Sequence, residues 1–327
     1  MPYCSAAVLN CNLPVRFDTY RGGCEFRCTY CSELVHGRFN PKPFESFKSL
    51  ESWIKGIRNA DTNWCDWDIP LHFGVLSDPL PFNDTKTRRS YKALYTFAEK
   101  YYPVVVTTKS TLAIDDDYLH LLNQCNVVVQ VSMVSKSFSV KYETNAPSFR
   151  DRFSMLYKVS KNTKRLVVRC QPFMIEYLDE VLMMIPAYTA SGVHALLVGG
   201  ISLRRPVGKI DQRSGDGYTY HVESLVPSLV AIRECCHDNN LVFLNNECGL
   251  DYLSDSIICC GTEGLEGFNV NKCNLSFSYE DYVTESMKAE GSAQVFRSGC
   301  RDSRFKYRTY IDVLRQFDNQ GNDGFVR

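Results

Sequence analysis

Seven short apolar runs rich in β-branched residues, separated by stretches of amphipathic helical pattern, limit the folds open to this chain more than any other feature. The runs fall at 14–21, 69–77, 103–108, 126–132, 165–171, 194–199 and 241–246, and helical periodicity lies at 45–59, 85–101, 115–124, 148–162, 177–191 and 219–239. Strands that alternate with helices in this way predict a parallel sheet with crossover helices. The Gly-x-Gly-x-x-Gly turn of dinucleotide-binding sheets is missing after the first run. The predicted fold is therefore α/β, a partial (β/α)6 barrel of the TIM type over 1–247, followed by a cysteine-containing C-terminal extension over 248–327 with helices at 279–290 and 305–317. In parallel barrels the chemistry collects at the C-terminal ends of the strands.

The loop after the first run reads Gly22-Gly23-Cys24-Glu25-Phe26-Arg27-Cys28-Thr29-Tyr30-Cys31, three thiols at C-x3-C-x2-C spacing with no fourth close behind. Thiolates are the usual ligands of iron–sulfur clusters and normally come in fours. A group of three leaves one iron of a [4Fe-4S] cluster for a ligand other than protein. Zinc competes poorly, because it prefers four protein ligands, typically in two short pairs, and no second C-x2-C follows. Unligated buried thiols are the third reading.

This spacing, with the aromatic Tyr30 before the last cysteine, resembles that of radical S-adenosylmethionine (SAM) enzymes. The resemblance implies that the open iron chelates the amino and carboxylate groups of SAM. Electron transfer then splits SAM into methionine and a 5′-deoxyadenosyl radical that abstracts hydrogen from a substrate. It also implies a reductant protein such as flavodoxin or ferredoxin. The later strand ends carry polar groups of the kinds SAM needs: Ser77-Asp78-Pro79 after the second run, Thr107-Thr108-Lys109-Ser110 after the third, and Ser132-Met133 after the fourth. Taken singly, Asp78 reads equally well as a turn residue and Lys109 as a solvated loop cation.

Together with Ala146-Pro147-Ser148-Phe149-Arg150-Asp151-Arg152 and Arg169-Cys170-Gln171-Pro172, these endings resemble the spore photoproduct lyase branch, the DNA repair photolyase-like group, over residues 17 to 200. The resemblance implies cluster ligands Cys24, Cys28 and Cys31 and SAM contacts at Ser77, Asp78, Lys109 and Ser132. One departure is specific: the branch carries a hydrogen-donating cysteine two residues before its Ser-Asp, and here that position is Val75. The radical generator is inherited; the substrate is not.

A second cysteine set follows the seventh run. Cys248, Cys260 and Cys273, with Cys259 as an alternative, are candidate ligands of a second Fe-S cluster, in competition with structural zinc or free thiols. Basic residues gather at Arg204, Arg205, Lys209 and Arg213, and again at Arg297, Arg301, Arg304, Lys306 and Arg308. They suit the phosphates of a nucleotide or nucleic-acid substrate, or simply a solvated surface. The 37 basic residues are balanced by 37 acidic ones, which disfavours a chain-wide nucleic-acid platform. With 15 cysteines, no apolar run of membrane-spanning length and no signal-peptide pattern at the N-terminus, a cytoplasmic, reduced, metal-binding protein is expected. A peptide substrate stays open, and so does a reading of another class, a non-catalytic binding protein stapled by zinc or an Fe-S cluster.

Overall fold

In the computed structural model, the described residues are 3–4, 15–21, 24–31, 42–43, 50–52, 54–55, 70–214, 217–247, 250–256, 260–263 and 265–266. Twelve strands are present among them: β1 Tyr3–Cys4, β2 Val15–Phe17, β3 Tyr20–Arg21, β4 Lys42–Pro43, β5 Leu71–Phe73, β6 Val104–Thr108, β7 Val127–Ser132, β8 Arg165–Phe173, β9 Ala195–Gly200, β10 Gln212–Ser214, β11 Gly217–Thr219 and β12 Val242–Asn245. Eight of these form one sheet in the order β1-β2-β5-β6-β7-β8-β9-β12. Every pairing from β2 to β12 is parallel, and β1 joins the edge antiparallel. The sheet does not close on itself, as expected of a partial barrel.

All seven predicted runs contain strands of this sheet, most of them shorter than the hydrophobic pattern suggests, while β8 runs on to Phe173 and β9 to Gly200. The first run splits because Asp18 leaves the ladder: its buried carboxylate accepts the N–H groups of Val75 at 3.0 Å, Leu76 at 3.0 Å and Ser77 at 3.3 Å. Beyond the split, β3 pairs with β4 in a separate ribbon. The second run stops at Gly74, whose φ of 90° is open to glycine but strained for other residues.

The crossover helices are α1 Asp84–Thr87, α2 Arg89–Lys100, α3 Asp116–Gln124, α4 Lys136–Tyr142, α5 Phe149–Ser160, α6 Leu178–Ala190 and α7 Val222–Asp238. The helix predicted over 85–101 is broken between α1 and α2 by Arg88, left-handed at φ 54°. Asp84 explains the break. Buried completely, it accepts the Ser90 and Tyr91 N–H groups at 2.9 and 3.1 Å and the Tyr118 hydroxyl at 2.6 Å, drawing the start of α2 back over α1. Helix α4 was not predicted; Ser135 caps it by accepting the Phe138 N–H. Of the helix predicted over 45–59, helical turns are described only within 50–55, and the helices predicted at 279–290 and 305–317 lie outside the described residues.

Side chains on a strand alternate between faces. Val104, Val106, Val127, Val129, Leu166, Val168, Leu196, Val198 and Phe243 point to the helices and form the main core. Their neighbours Val105, Val128, Val167, Ala195, Leu197 and Leu244 point to the concave side, where Cys260 and Leu265 pack on them as a second apolar cluster. Burying each Val or Leu of this floor is worth roughly 1.5–3 kcal/mol. Asp255 and Glu266 tie to the barrel by polar contacts as well: the Asn126 side chain bonds to both the N–H and the carbonyl of Glu266, and Asp255 accepts the Phe243 N–H at 2.8 Å. Part of the predicted extension therefore seals the barrel at the end opposite its mouth.

Candidate functional site

Above this floor the concave face turns polar. His72, Thr107, Gln130 and Arg169 come from β5, β6, β7 and β8. His72 Nε2 lies 2.8 Å from Thr107 Oγ1, which donates to Gln130 Oε1 at 2.9 Å; Arg169 Nη1 donates to the same oxygen at 2.9 Å. His72, Thr107 and Arg169 line a cavity of about 360 Å³ at the C-terminal ends of the strands. Its walls include all three of Cys24, Cys28 and Cys31, together with Tyr30, Ser77, Asp78, Lys109 and Ser132. The structure thus brings the predicted cluster ligands and every predicted SAM contact to one cavity.

The cysteine loop is shaped by its own backbone and by its neighbours. The Arg27 N–H donates to the Cys24 carbonyl at 3.2 Å and the Cys31 N–H to the Cys28 carbonyl at 2.9 Å, with Arg27 turned to φ 46°. Phe26 is buried edge-on against Phe82, Glu25 accepts the Asn83 N–H, and the Thr29 N–H reaches the Tyr142 carbonyl at 3.0 Å. The three thiols are free cysteines. Burial, reinforced by the charge of Asp78, pushes the Cys24 thiol up to about 12, and burial also raises Cys28 against the pull of Lys109. A buried thiol of this kind ionises readily only when a metal takes the proton's place. Among the described residues no three His, Cys, Asp or Glu side chains close on the spacing of a single metal ion. Three thiols lining one cavity are the soft donor set that an iron–sulfur cluster would take.

The predicted SAM contacts divide into two kinds. Asp78 is committed to structure: Oδ1 accepts the Leu80 N–H at 2.9 Å and the Thr108 hydroxyl at 2.7 Å, while Oδ2 accepts the Lys109 N–H at 2.6 Å. Burial raises its carboxyl against these bonds. It fastens the loop after β5 to the end of β6. Ser77 likewise donates to the Tyr20 carbonyl at 2.7 Å. Lys109 keeps its side chain free of such backbone bonds, with Nζ 3.7 Å from Glu143 and 6.0 Å from the centre of the Tyr30 ring, and that side chain is 16% exposed. Ser132 is buried at the end of β7, its carbonyl accepting Arg152 Nη1 at 2.6 Å.

Behind Lys109 stands a charge cluster that the sequence reading did not anticipate. Glu143 is bonded to the Tyr30 hydroxyl and to Arg152 Nη2, and Arg152, buried completely, also donates to Ser139 Oγ at 2.6 Å. Burial alone would raise the Glu143 carboxyl; the charges of Lys109 and Arg152 outweigh it and hold the group below its ordinary range. A signal was present in the sequence: Arg152 shares one helical face with Met155, Leu156 and Val159, and a cation on an apolar face needs a buried partner. Of the second cysteine set, Cys260 is buried in the floor and does not line the cavity, and Cys248, Cys259 and Cys273 lie outside the described residues. Arg204, Arg205, Lys209 and Arg213 are exposed around the β10–β11 hairpin, which follows the cavity residues Ile201 and Ser202. The arginines and lysine of 297–308 lie outside the described residues.

Solved structures share the fold of this chain at low sequence identity. A spore photoproduct lyase mutant aligns with a TM-score of 0.59 at 14% identity, over 76% of this chain and 79% of its own. A second lyase mutant, with bound AdoMet and dinucleoside spore photoproduct, aligns with a TM-score of 0.58 at 14% identity, over 75% and 78% of the two chains. Streptococcus suis SuiB bound to S-adenosylmethionine gives 0.54 at 12% identity, over 74% of this chain but only 52% of its own. No protein-family model matches the chain, and no curated protein sequence matches it. Among the described residues no helix is long and apolar enough to cross a membrane.

Proposed function

We propose that the chain is a radical SAM enzyme whose cavity holds a [4Fe-4S] cluster on Cys24, Cys28 and Cys31 and SAM beside it. The observation that carries this reading is the meeting of three thiols and one buried-edge cation, Lys109, in a single cavity at the strand ends. When bound, the cluster and SAM supply reductive cleavage to a 5′-deoxyadenosyl radical, chemistry that side chains cannot provide.

The protein's part is binding, orientation and exclusion of water. Lys109 offers a cation for the SAM carboxylate, and Glu143 limits how far Nζ swings by drawing it toward Tyr30. Ser132 and the loop 75–77 supply close, small polar surface, while Asp18 and Asp78 keep that loop in place through backbone N–H groups. Val75 lines the cavity where the lyase branch has its hydrogen donor, and its isopropyl group has no thiol hydrogen to return to a substrate radical. Repair of the photoproduct by that route is therefore not the reaction proposed. The substrate enters above the cavity; a nucleotide or nucleic-acid base suits the exposed cations of the β10–β11 region, and a peptide is the other class. A flavodoxin or ferredoxin is the proposed electron donor, in the cytoplasm. A second cluster on Cys248, Cys260 and Cys273 rests on ligand type alone.

The test is direct. Anaerobically reconstituted protein should show broad absorbance near ~400 nm from the cluster, and dithionite with SAM should release 5′-deoxyadenosine. Iron bound without SAM cleavage, or zinc bound in preference to iron, would refute the proposal in favour of a metal-stabilised binding protein.

A further inference from the structure

Arg169 is a cation of the cavity wall that neither the cluster nor the SAM contacts absorb. It stands on the concave face of β8, across the cavity from the cysteine loop. Its guanidinium is presented by two neutral amides: Nη1 donates to Gln130 Oε1 at 2.9 Å, and Nη2 donates to Gln171 Oε1. Those bonds use two of the five N–H donors of a guanidinium. No carboxylate among the described residues meets its charge, in contrast to Lys109 and Arg152, which share Glu143. A cation oriented by amides and left without a counter-charge in a partly dehydrated cavity is a receptor for an oxyanion, since the guanidinium fork matches carboxylate and phosphate oxygens.

The wall beside it is also built for contact. Asn246 Oδ1 is buried with no hydrogen-bond partner among the described residues. A Cβ on Gly199 would fall 2.3 Å from that oxygen and 2.9 Å from the Gln171 amide carbon, so the bare glycine is what lets these two amides stand side by side. Next to them, the Gly200 N–H is taken by the Glu247 carboxylate. The wall thus carries one uncompensated cation and one unused acceptor.

We infer that the β8–β9 wall is the substrate subsite and that Arg169 fixes the substrate by an anionic group, a carboxylate or a phosphate. This inference rests on the radical SAM reading for the meaning of "substrate", but the anion site itself stands without it. The experiment titrates inorganic phosphate and, separately, acetate into the protein with and without its reconstituted cluster, by calorimetry, for wild type, Arg169→Gln and Arg169→Lys. SAM affinity is measured on the same reconstituted samples, and near-ultraviolet circular dichroism verifies folding of each variant. The expected result is anion binding that weakens at least ~10-fold in Arg169→Gln, equivalent to about 1.4 kcal/mol, and is partly kept in Arg169→Lys, with SAM affinity unchanged in both. A preference for phosphate would mark a phosphate-bearing substrate, and a preference for acetate a carboxylate. Anion binding equal in wild type and Arg169→Gln would overturn the inference. So would SAM affinity that falls ~10-fold in Arg169→Gln, because Arg169 would then belong to the SAM site. If the radical SAM reading fails, wild-type protein binds no SAM, yet loss of phosphate or acetate binding in the cluster-free variant still reports on Arg169.

Discussion

Replacing Glu143 with Gln removes one charge from the cluster behind Lys109 while keeping its volume and most of its hydrogen-bonding shape. Arg152 is then left fully buried with no carboxylate, keeping its bonds to the Ser132 carbonyl and Ser139 Oγ and meeting a neutral amide where Glu143 stood. Breaking a buried ion pair by removing one partner costs about 3–5 kcal/mol; the two surviving bonds place Glu143→Gln near the lower end, at about 3 kcal/mol. With an unfolding entropy of about 2.1 cal/mol/K per residue, each kcal/mol moves the melting temperature of a 327-residue chain by roughly 1.5 °C, so a fall of about 4–5 °C is expected. Arg152→Met should cost less, about 2 kcal/mol, because Glu143 keeps Lys109 and the Tyr30 hydroxyl as partners. The double variant should recover part of the loss, since neither buried charge is left opposed by nothing, with a coupling energy of about 1–3 kcal/mol. Urea unfolding of reduced protein, followed by circular dichroism, measures all three. A Glu143→Gln cost below about 1 kcal/mol, or a double variant equal to the sum of the singles, would refute the view that this cluster is a desolvated pair holding the end of β7.

Lys109→Met should weaken SAM binding by about 10- to 100-fold, the worth of one charged hydrogen bond, with cluster absorbance intact; unchanged SAM affinity would remove Lys109 from the site. Gly74→Ala should lose more than about 2 kcal/mol, because its Cβ would lie 2.4 Å from Pro79 Cδ and 2.8 Å from the Thr107 carbonyl at a φ of 90°. The melting temperature measures it. The carboxyl of Asp255 is raised by burial but held lower overall by the Phe243 N–H, His237 and Arg233. Its folded pKa is depressed, so its stabilisation is complete above the ordinary Asp value of ~3.9 and is lost as pH falls through the lower folded value. The melting-temperature gap between wild type and Asp255→Asn should therefore close as pH falls from 7 to about 3; a constant gap would contradict the linkage. Iron analysis of the Cys24→Ala/Cys28→Ala/Cys31→Ala variant should find none, because Cys260 sits in the apolar floor; about four irons per chain would establish a second cluster.

The strand–helix alternation carried the architecture because each parallel strand buries both faces and so reads as a continuous apolar run. Thr107, Gln130 and Arg169 interrupt those runs at inward positions, and the side-chain hydrogen bonds that join them across β6, β7 and β8 are what make them a layer. A single strand shows one stray polar residue; only the pairing shows a row. The cysteine triplet was legible because its ligands are adjacent in sequence. The Tyr30–Glu143–Arg152 cluster was not, because its members are 113 and 9 residues apart, and neither distance leaves a periodic trace. Asp78 was identified by residue type as a ligand contact, whereas its oxygens are occupied by the protein's own N–H and O–H groups. Residue type told where polarity was needed, and only geometry told what satisfied it.

The carboxylate of Asp18 grips the loop after β5 by three successive backbone N–H groups, and the side chain of Val75 takes no part in that grip. Shape and chemistry are thus assigned to different atoms at this point of the cavity. Position 75 can exchange valine for a thiol, a hydroxyl or a larger apolar group without redrawing the loop that carries it. Under the proposed radical chemistry, single substitutions here would change what a radical meets, and Val75→Cys is the shortest step by which this chain would acquire a hydrogen donor of its own.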